Sequence, residues 1–105
     1  MEKLAYRLAA SHAASGSRRQ AIVGVVASGN LEVLLERALA ADVCTVEIAT
    51  PVHGFGAVWE AVFADFVARR RAGGLRISIN DGGARPDTVA LRLAQGVRLI
   101  EDESA

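Results

Sequence analysis

A chain of 105 residues, 51% hydrophobic and 23% charged, has room for one domain with a single modest core and the composition of an ordinary globular fold. Twelve basic and twelve acidic side chains cancel, with a pI near 6.7, which argues against a nucleic-acid binder dependent on excess Lys and Arg. The single cysteine, Cys44, rules out an internal disulfide or a cysteine metal cage and fits a reducing, cytoplasmic setting.

The opening stretch MEKLAYRLAASHAASGSRR does not read as a secretion signal: Arg7 breaks its apolar part, and basic residues follow the small ones. No segment reaches the length of a membrane span. Within the opening stretch, Leu4, Tyr6 and Leu8 alternate with Ala5 and Arg7, which predicts a short strand. AASHAASGSR has no periodicity and predicts a loop, so residues 1–20 read as an N-terminal strand and loop.

QAIVGVVA, residues 20–27, is β-branched and nearly continuous, the pattern of a well-buried strand. Ser28-Gly29-Asn30 then forms a corner before LEVLLE, where Leu31, Val33 and Leu35 share one face and Glu32 and Glu36 the other. The pair predicts a β-hairpin with Ser28 at its exposed tip. VCTVEIAT, residues 43–50, predicts another strand, ended by Pro51, which has no N–H for a ladder. Cys44 falls inside this pattern and reads as a buried, inert thiol.

The period then changes. Phe55, Val58, Trp59, Val62, Phe63, Phe66 and Val67 recur at helical spacing, with Arg69 to Arg71 as a basic last turn and Gly73-Gly74 as the stop. LRISIN alternates as a strand, and Asp81-Gly82-Gly83 makes a turn. Pro86 opens a second helix whose stripe is Val89, Leu93, Val97 and Ile100; Gly96 inside it weakens the helix by about 1 kcal/mol relative to alanine. The acidic tail at 101–105, EDESA, reads as frayed. The order predicts one α+β domain over 1–105: a mixed or antiparallel sheet of four to five strands with two helices packed on one face.

Chemistry is sparse. There is no P-loop, no His-Glu-x-x-His, no paired-cysteine motif and no placeable Ser–His–Asp set. His12 and His53 lack ligand-spaced partners and read as loop residues, and Asp81 and Asp87 are accounted for by turn formation and capping. Two helices on one sheet face leave little room for a deep pocket. The corner remains. A modifying enzyme needs an open hydroxyl, and Ser28 followed by Gly29 meets that need, but Ser, Gly and Asn are also ordinary turn residues.

GVVASGNLEVLLE, followed by TPVHGFGAVW and INDGGARPDTVALRL, resembles the acyl-carrier (delta) subunits of malonate decarboxylases, in order over residues 21–95. The hairpin motif is the specific part. The resemblance implies a non-catalytic carrier, a phosphoprotein in which Ser28 is joined through a phosphodiester to 2'-(5''-phosphoribosyl)-3'-dephospho-CoA, with Gly29 and Asn30 supporting the turn. It implies a thioester-bound acetyl that partner subunits exchange for malonyl and decarboxylate, converting malonate to acetate and carbon dioxide. The implied partners are the acyltransferase (alpha) and decarboxylase (beta, gamma) subunits and a prosthetic-group transferase, with no nucleic acid and no membrane. Two positions depart from the family's pattern: Ala27 replaces a frequent glycine, and Asn30 the usual aspartate. If that carboxylate serves the modifying enzyme, attachment here is slower. The citrate lyase carrier (gamma) subunits share a Ser-Gly-Asp hairpin but resemble the chain less outside it. A small assembly domain without a prosthetic group is the reading from a different class.

Overall fold

The computed structural model describes residues 1–101. Its elements in chain order are β1 (Glu2–Ala9), β2 (Gln20–Gly24), β3 (Leu31–Arg37), β4 (Val43–Thr50), α1 (Gly56–Arg69), β5 (Leu75–Asp81) and α2 (Pro86–Ile100). The five strands form one sheet in the order β1-β4-β5-β3-β2. β4 and β5 pair parallel and every other neighbour antiparallel, so the sheet is mixed and the fold is α+β.

Alternation decides which face is covered. Leu31, Val33 and Leu35 of β3, Cys44, Val46 and Ile48 of β4, and Leu75, Ile77 and Ile79 of β5 all point to the same side and are buried. They meet Trp59, Phe63, Phe66 and Val67 of α1 and Val89, Leu93, Val97 and Ile100 of α2 in one core. Helix α1 lies over the β1 side and α2 over β2 and β3. The opposite face is mostly polar, with Glu36 bonded to Arg76 and Glu32 to Asn80 across the ladder beside the apolar pair Ile22 and Leu34.

Several elements differ from the sequence expectation. Strand β2 ends at Gly24, not residue 27, because Gly24 takes a φ of +82° and turns the chain away from the ladder. A Cβ there would overlap the Leu31 carbonyl oxygen, and Val25 and Val26 are left exposed. Helix α1 stops at Arg69, where Arg70 becomes extended, before the Gly73-Gly74 pair. Residues 72–74 are instead drawn into the sheet's lower edge, where the Gly73 N–H donates to the His12 carbonyl and the Gly74 N–H to that of Val43. Phe55 and Val58, counted in the apolar stripe by spacing, are exposed; the stripe that packs begins at Trp59.

Beyond its backbone bonds to Asp42 and Gly73, the aperiodic loop after β1 is gathered by the Arg37 side chain. Arg37 donates from Nε to the Arg18 carbonyl at 3.0 Å, from Nη1 to Ala14 at 2.6 Å, and from Nη2 to Ser15 at 2.7 Å and Ile100 at 2.8 Å. One guanidinium fork thus satisfies loop carbonyls and an orphan carbonyl at the end of α2. Of the acidic tail, Glu101 is folded in, its N–H donating to the Val97 carbonyl and its Oε2 accepting from Ser15 Oγ; residues 102–105 lie outside the described residues.

Gly96 has a packing role that the helix pattern hides. A Cβ at this position would collide with Cδ1 of the fully buried Leu35, so glycine is what lets α2 settle onto β3. Gly96→Ala, which in an exposed helix gains about 1 kcal/mol, is expected to lose about 1–3 kcal/mol here by overpacking. Urea denaturation measures it, and a stabilised variant contradicts the close contact.

Candidate functional site

The corner forms as a true turn within a longer connection. Residues 25–30 join β2 to β3, whose antiparallel register sets Val23 opposite Val33 and Gly24 opposite Glu32. Inside that connection the Asn30 N–H donates to the Ala27 carbonyl at 2.9 Å, closing the four residues Ala27 to Asn30. Gly29, third in the turn, has a φ of +75°, the left-handed value that a type II turn requires there. Asn30 fixes the exit: its Oδ1 accepts from the Leu31 N–H at 2.8 Å.

Ser28 is exposed, and none of the described residues hydrogen-bonds its hydroxyl. A Cβ built on Gly29 meets nothing within 4 Å, so the space beside Ser28 is open. The turn is nevertheless not a free tip. The Gly29 N–H donates to the Gly82 carbonyl at 2.9 Å, and the Gly82 N–H donates to the Asn30 carbonyl at 2.8 Å. Two backbones therefore meet directly, and only a residue without a side chain fits at 82, since a Cβ there would overlap the Ala27 carbonyl oxygen.

Gly82 is itself held by a buried polar chain. Asp81, 5% exposed, accepts from Thr50 Oγ1 on Oδ2 at 2.8 Å and from the Ala84 N–H on Oδ1 at 2.8 Å. Thr50 in turn accepts from the Val52 N–H at 3.1 Å. The carboxylate thus ties the loop after β4 to the loop after β5, and both to the serine turn. The turn reading of Asp81 is correct but incomplete: the residue is buried and spans two loops. Asp87, at the start of α2, accepts from the Thr88 N–H and pairs loosely with exposed Arg85 at 3.6 Å.

Beside this support lies an apolar groove of about 420 Å³, lined chiefly by Val52, Phe55, Trp59, Ala84 and Val89, with Thr50 and Asp81 as its polar floor. The fold thus leaves an open groove rather than a deep pocket, between the start of α1 and the turn at 81–84. Both polar groups of the floor are engaged with each other and with backbone, which leaves no free acid or base there.

Cys44 and His12 lie apart from this end, whereas His53 lies in the loop after β4, between the groove residues Val52 and Phe55. Cys44 is fully buried in the sheet, and burial pushes its thiol up to about 11, so it is protonated at neutral pH. His12 and His53 are exposed loop residues. Sequence reasoning singled out the Ser28-Gly29-Asn30 corner but not its neighbours Gly82, Thr50 and Arg92, the last of which donates from Nε to Asn30 Oδ1 at 3.2 Å. The one available signal was the Asp-Gly-Gly run directly after an apolar strand, read only as a local turn.

Gly82→Ala is expected to cost about 1–3 kcal/mol through backbone overlap, measured by urea denaturation; wild-type stability would contradict the close approach of the two loops.

Residues 18–100 match the family model described as malonate decarboxylase delta subunit (MdcD). The malonate decarboxylase acyl carrier protein of Bradyrhizobium diazoefficiens is 60% identical over 102 residues, covering 97% of each chain. That of Xanthomonas euvesicatoria pv. vesicatoria is 48% identical over the full length of both. Among solved structures, a chain in the crystal structure of a Pseudomonas malonate decarboxylase hetero-tetramer in complex with malonate superposes with a TM-score of 0.83 at 36% identity, over 95% of this chain and 99% of that one. With the fold and nearly the whole sequence shared, the chain belongs to the malonate decarboxylase acyl carrier (delta subunit) family.

Proposed function

We propose that this chain is a non-catalytic carrier subunit that holds acetyl and malonyl for a malonate decarboxylase, through a phosphoribosyl-dephospho-CoA group joined to Ser28. The observation that supports it most is an exposed serine hydroxyl, without a hydrogen-bond partner among the described residues, on a turn pinned by backbone bonds to a second loop. The residues present fit such a group: the positions beside Gly29 and Gly83 are open, and a Cβ on either meets nothing within 4 Å.

When bound, the group supplies a terminal thiol on which an acyl unit is held as a thioester. The rest of the work falls to the chain's own residues. Ser28 supplies Oγ to the new O–P bond and gives up its proton to a base of the transferase, while the P–O bond to the phosphate leaving group of the activated prosthetic-group donor breaks and that group departs with the electron pair. Gly29 leaves space for that enzyme to approach, and Asn30 fixes the direction in which the chain leaves the turn. Gly82 and Asp81 keep the post rigid, so the reach of the tether, rather than diffusion, sets the effective concentration at each partner site.

Acyl exchange and decarboxylation belong, on this reading, to the alpha subunit and to the beta and gamma subunits. The solved relative's crystallisation as a hetero-tetramer with malonate supports such an assembly. The unpaired Cys44 fits a cytoplasmic setting, and no helix among the described residues is long and apolar enough to cross a membrane.

Intact mass of the protein co-expressed with the prosthetic-group biosynthetic and transfer enzymes tests the reading, alongside Ser28→Ala. A prosthetic-group adduct on the wild type that disappears in the variant is the expected result. An unmodified wild type overturns it and favours a bare assembly domain, and an adduct that survives the substitution overturns Ser28 as the point of attachment.

A further inference from the structure

Arg92 lies on α2 but its side chain turns toward the serine loop. Nε donates to Asn30 Oδ1 at 3.2 Å and Nη1 to Gln95 Oε1 at 2.8 Å, and the stem lies against Gly24, where a Cβ would sit 3.3 Å from Arg92 Cδ. Both acceptors are neutral amides. The ion pairs among the described residues join Arg69 to Asp65, Arg76 to Glu36 and Arg85 to Asp87, which leaves this half-buried guanidinium without a carboxylate.

The acidic groups at this end of the sheet are occupied elsewhere. Asp81 accepts from Thr50 on one oxygen and from the Ala84 N–H on the other, Asp87 faces Arg85, and Glu32 lies on the opposite sheet face, bonded to Asn80. A half-buried cation without a counter-ion is electrostatically incomplete. Its planar fork suits a phosphate oxygen better than any other common anion except a carboxylate. Asn30, two residues from Ser28, already orients that fork and, unlike an aspartate, leaves its charge unneutralised.

We propose that Arg92, oriented by Asn30, is the seat for the phosphodiester formed on Ser28 Oγ, so that modification completes a charge pair the bare chain lacks. The inference rests on the Ser28 attachment reading. Arg92 is a positioning residue here: it holds the root of the attached group against the α2 side of the turn and leaves the distal thiol free.

The test uses wild type, Arg92→Gln, Arg92→Lys and Asn30→Asp, each prepared bare and after co-expression with the biosynthetic and transfer enzymes, with the Ser28 adduct checked by intact mass. The readouts are the Arg92 Nε–H resonance, the phosphorus resonance of the adduct, and Tm at low and high salt. Attachment to wild type is expected to shift the Nε–H resonance and raise Tm, with the gain shrinking at high salt. Arg92→Gln loses the gain and moves the phosphorus resonance, Arg92→Lys keeps part of the gain, and Asn30→Asp reduces it by giving the guanidinium a competing carboxylate. A modified wild type whose Arg92 Nε–H does not move overturns the seat while leaving the attachment intact; Arg92→Lys or Arg92→Gln showing the wild-type gain does the same. A wild type that carries no adduct overturns the attachment and the seat with it.

Discussion

Strands β4 and β5 run parallel at the centre of the sheet, joined by α1, so their C-terminal ends emerge at the same edge. The register that sets Ala49 beside Asn80 brings the next residues, Thr50 and Asp81, side by side, and their buried hydrogen bond joins the two loops that follow. Because β3 pairs with the other side of β5, with Leu31 opposite Asp81, the turn before β3 lands on the same edge. Gly82 then meets Gly29 and Asn30 backbone to backbone. The serine turn is thus the outermost member of a stack rooted in the middle of the sheet, not an isolated hairpin tip.

A rigid mount and an unencumbered hydroxyl are usually in conflict, since the contacts that hold a loop also cover it. Here the conflict is resolved by using main-chain groups on one side of the turn. Gly29 and Asn30 give their backbone donor and acceptor to Gly82, while Ser28 keeps its side chain free and the space beside Gly29 stays open. A domain of this size has a limited core, and Arg37 extends the ordered part by gathering loop carbonyls and the end of α2 onto one side chain. The mostly polar sheet face and the apolar groove by Phe55 provide two chemically different surfaces on a chain whose solved relative was crystallised in a hetero-tetramer.

Much of this was legible from local pattern. Strict alternation located β1, β3, β4 and β5, and the Ser28-Gly29-Asn30 corner announced a turn with φ above zero at its glycine. What local pattern missed was set by distant contacts. Val25 and Val26 look like strand residues, but Gly24, at a φ of +82°, turns the chain out of the ladder at a place where a Cβ would overlap the Leu31 carbonyl oxygen. Phe55 keeps helical spacing yet precedes the first helical residue, so it faces the groove. Gly82, Thr50 and Arg92 are silent in one dimension because each acts on a residue far away in sequence. Gly96 carries the opposite lesson: read as a weakness of α2, it is the contact that lets the helix approach Leu35.

The central claim is that the serine turn is held by its bonds to Gly82, and native-state hydrogen exchange tests it most directly. The amides of Gly29 and Gly82, each donating across the two loops, are predicted to be protected well beyond the neighbouring exposed amides of Val25 and Val26, opening only with the β3–β5 edge. Exchange of Gly29 and Gly82 as fast as that of Val25 and Val26 would contradict the account and return Ser28 to a loose loop.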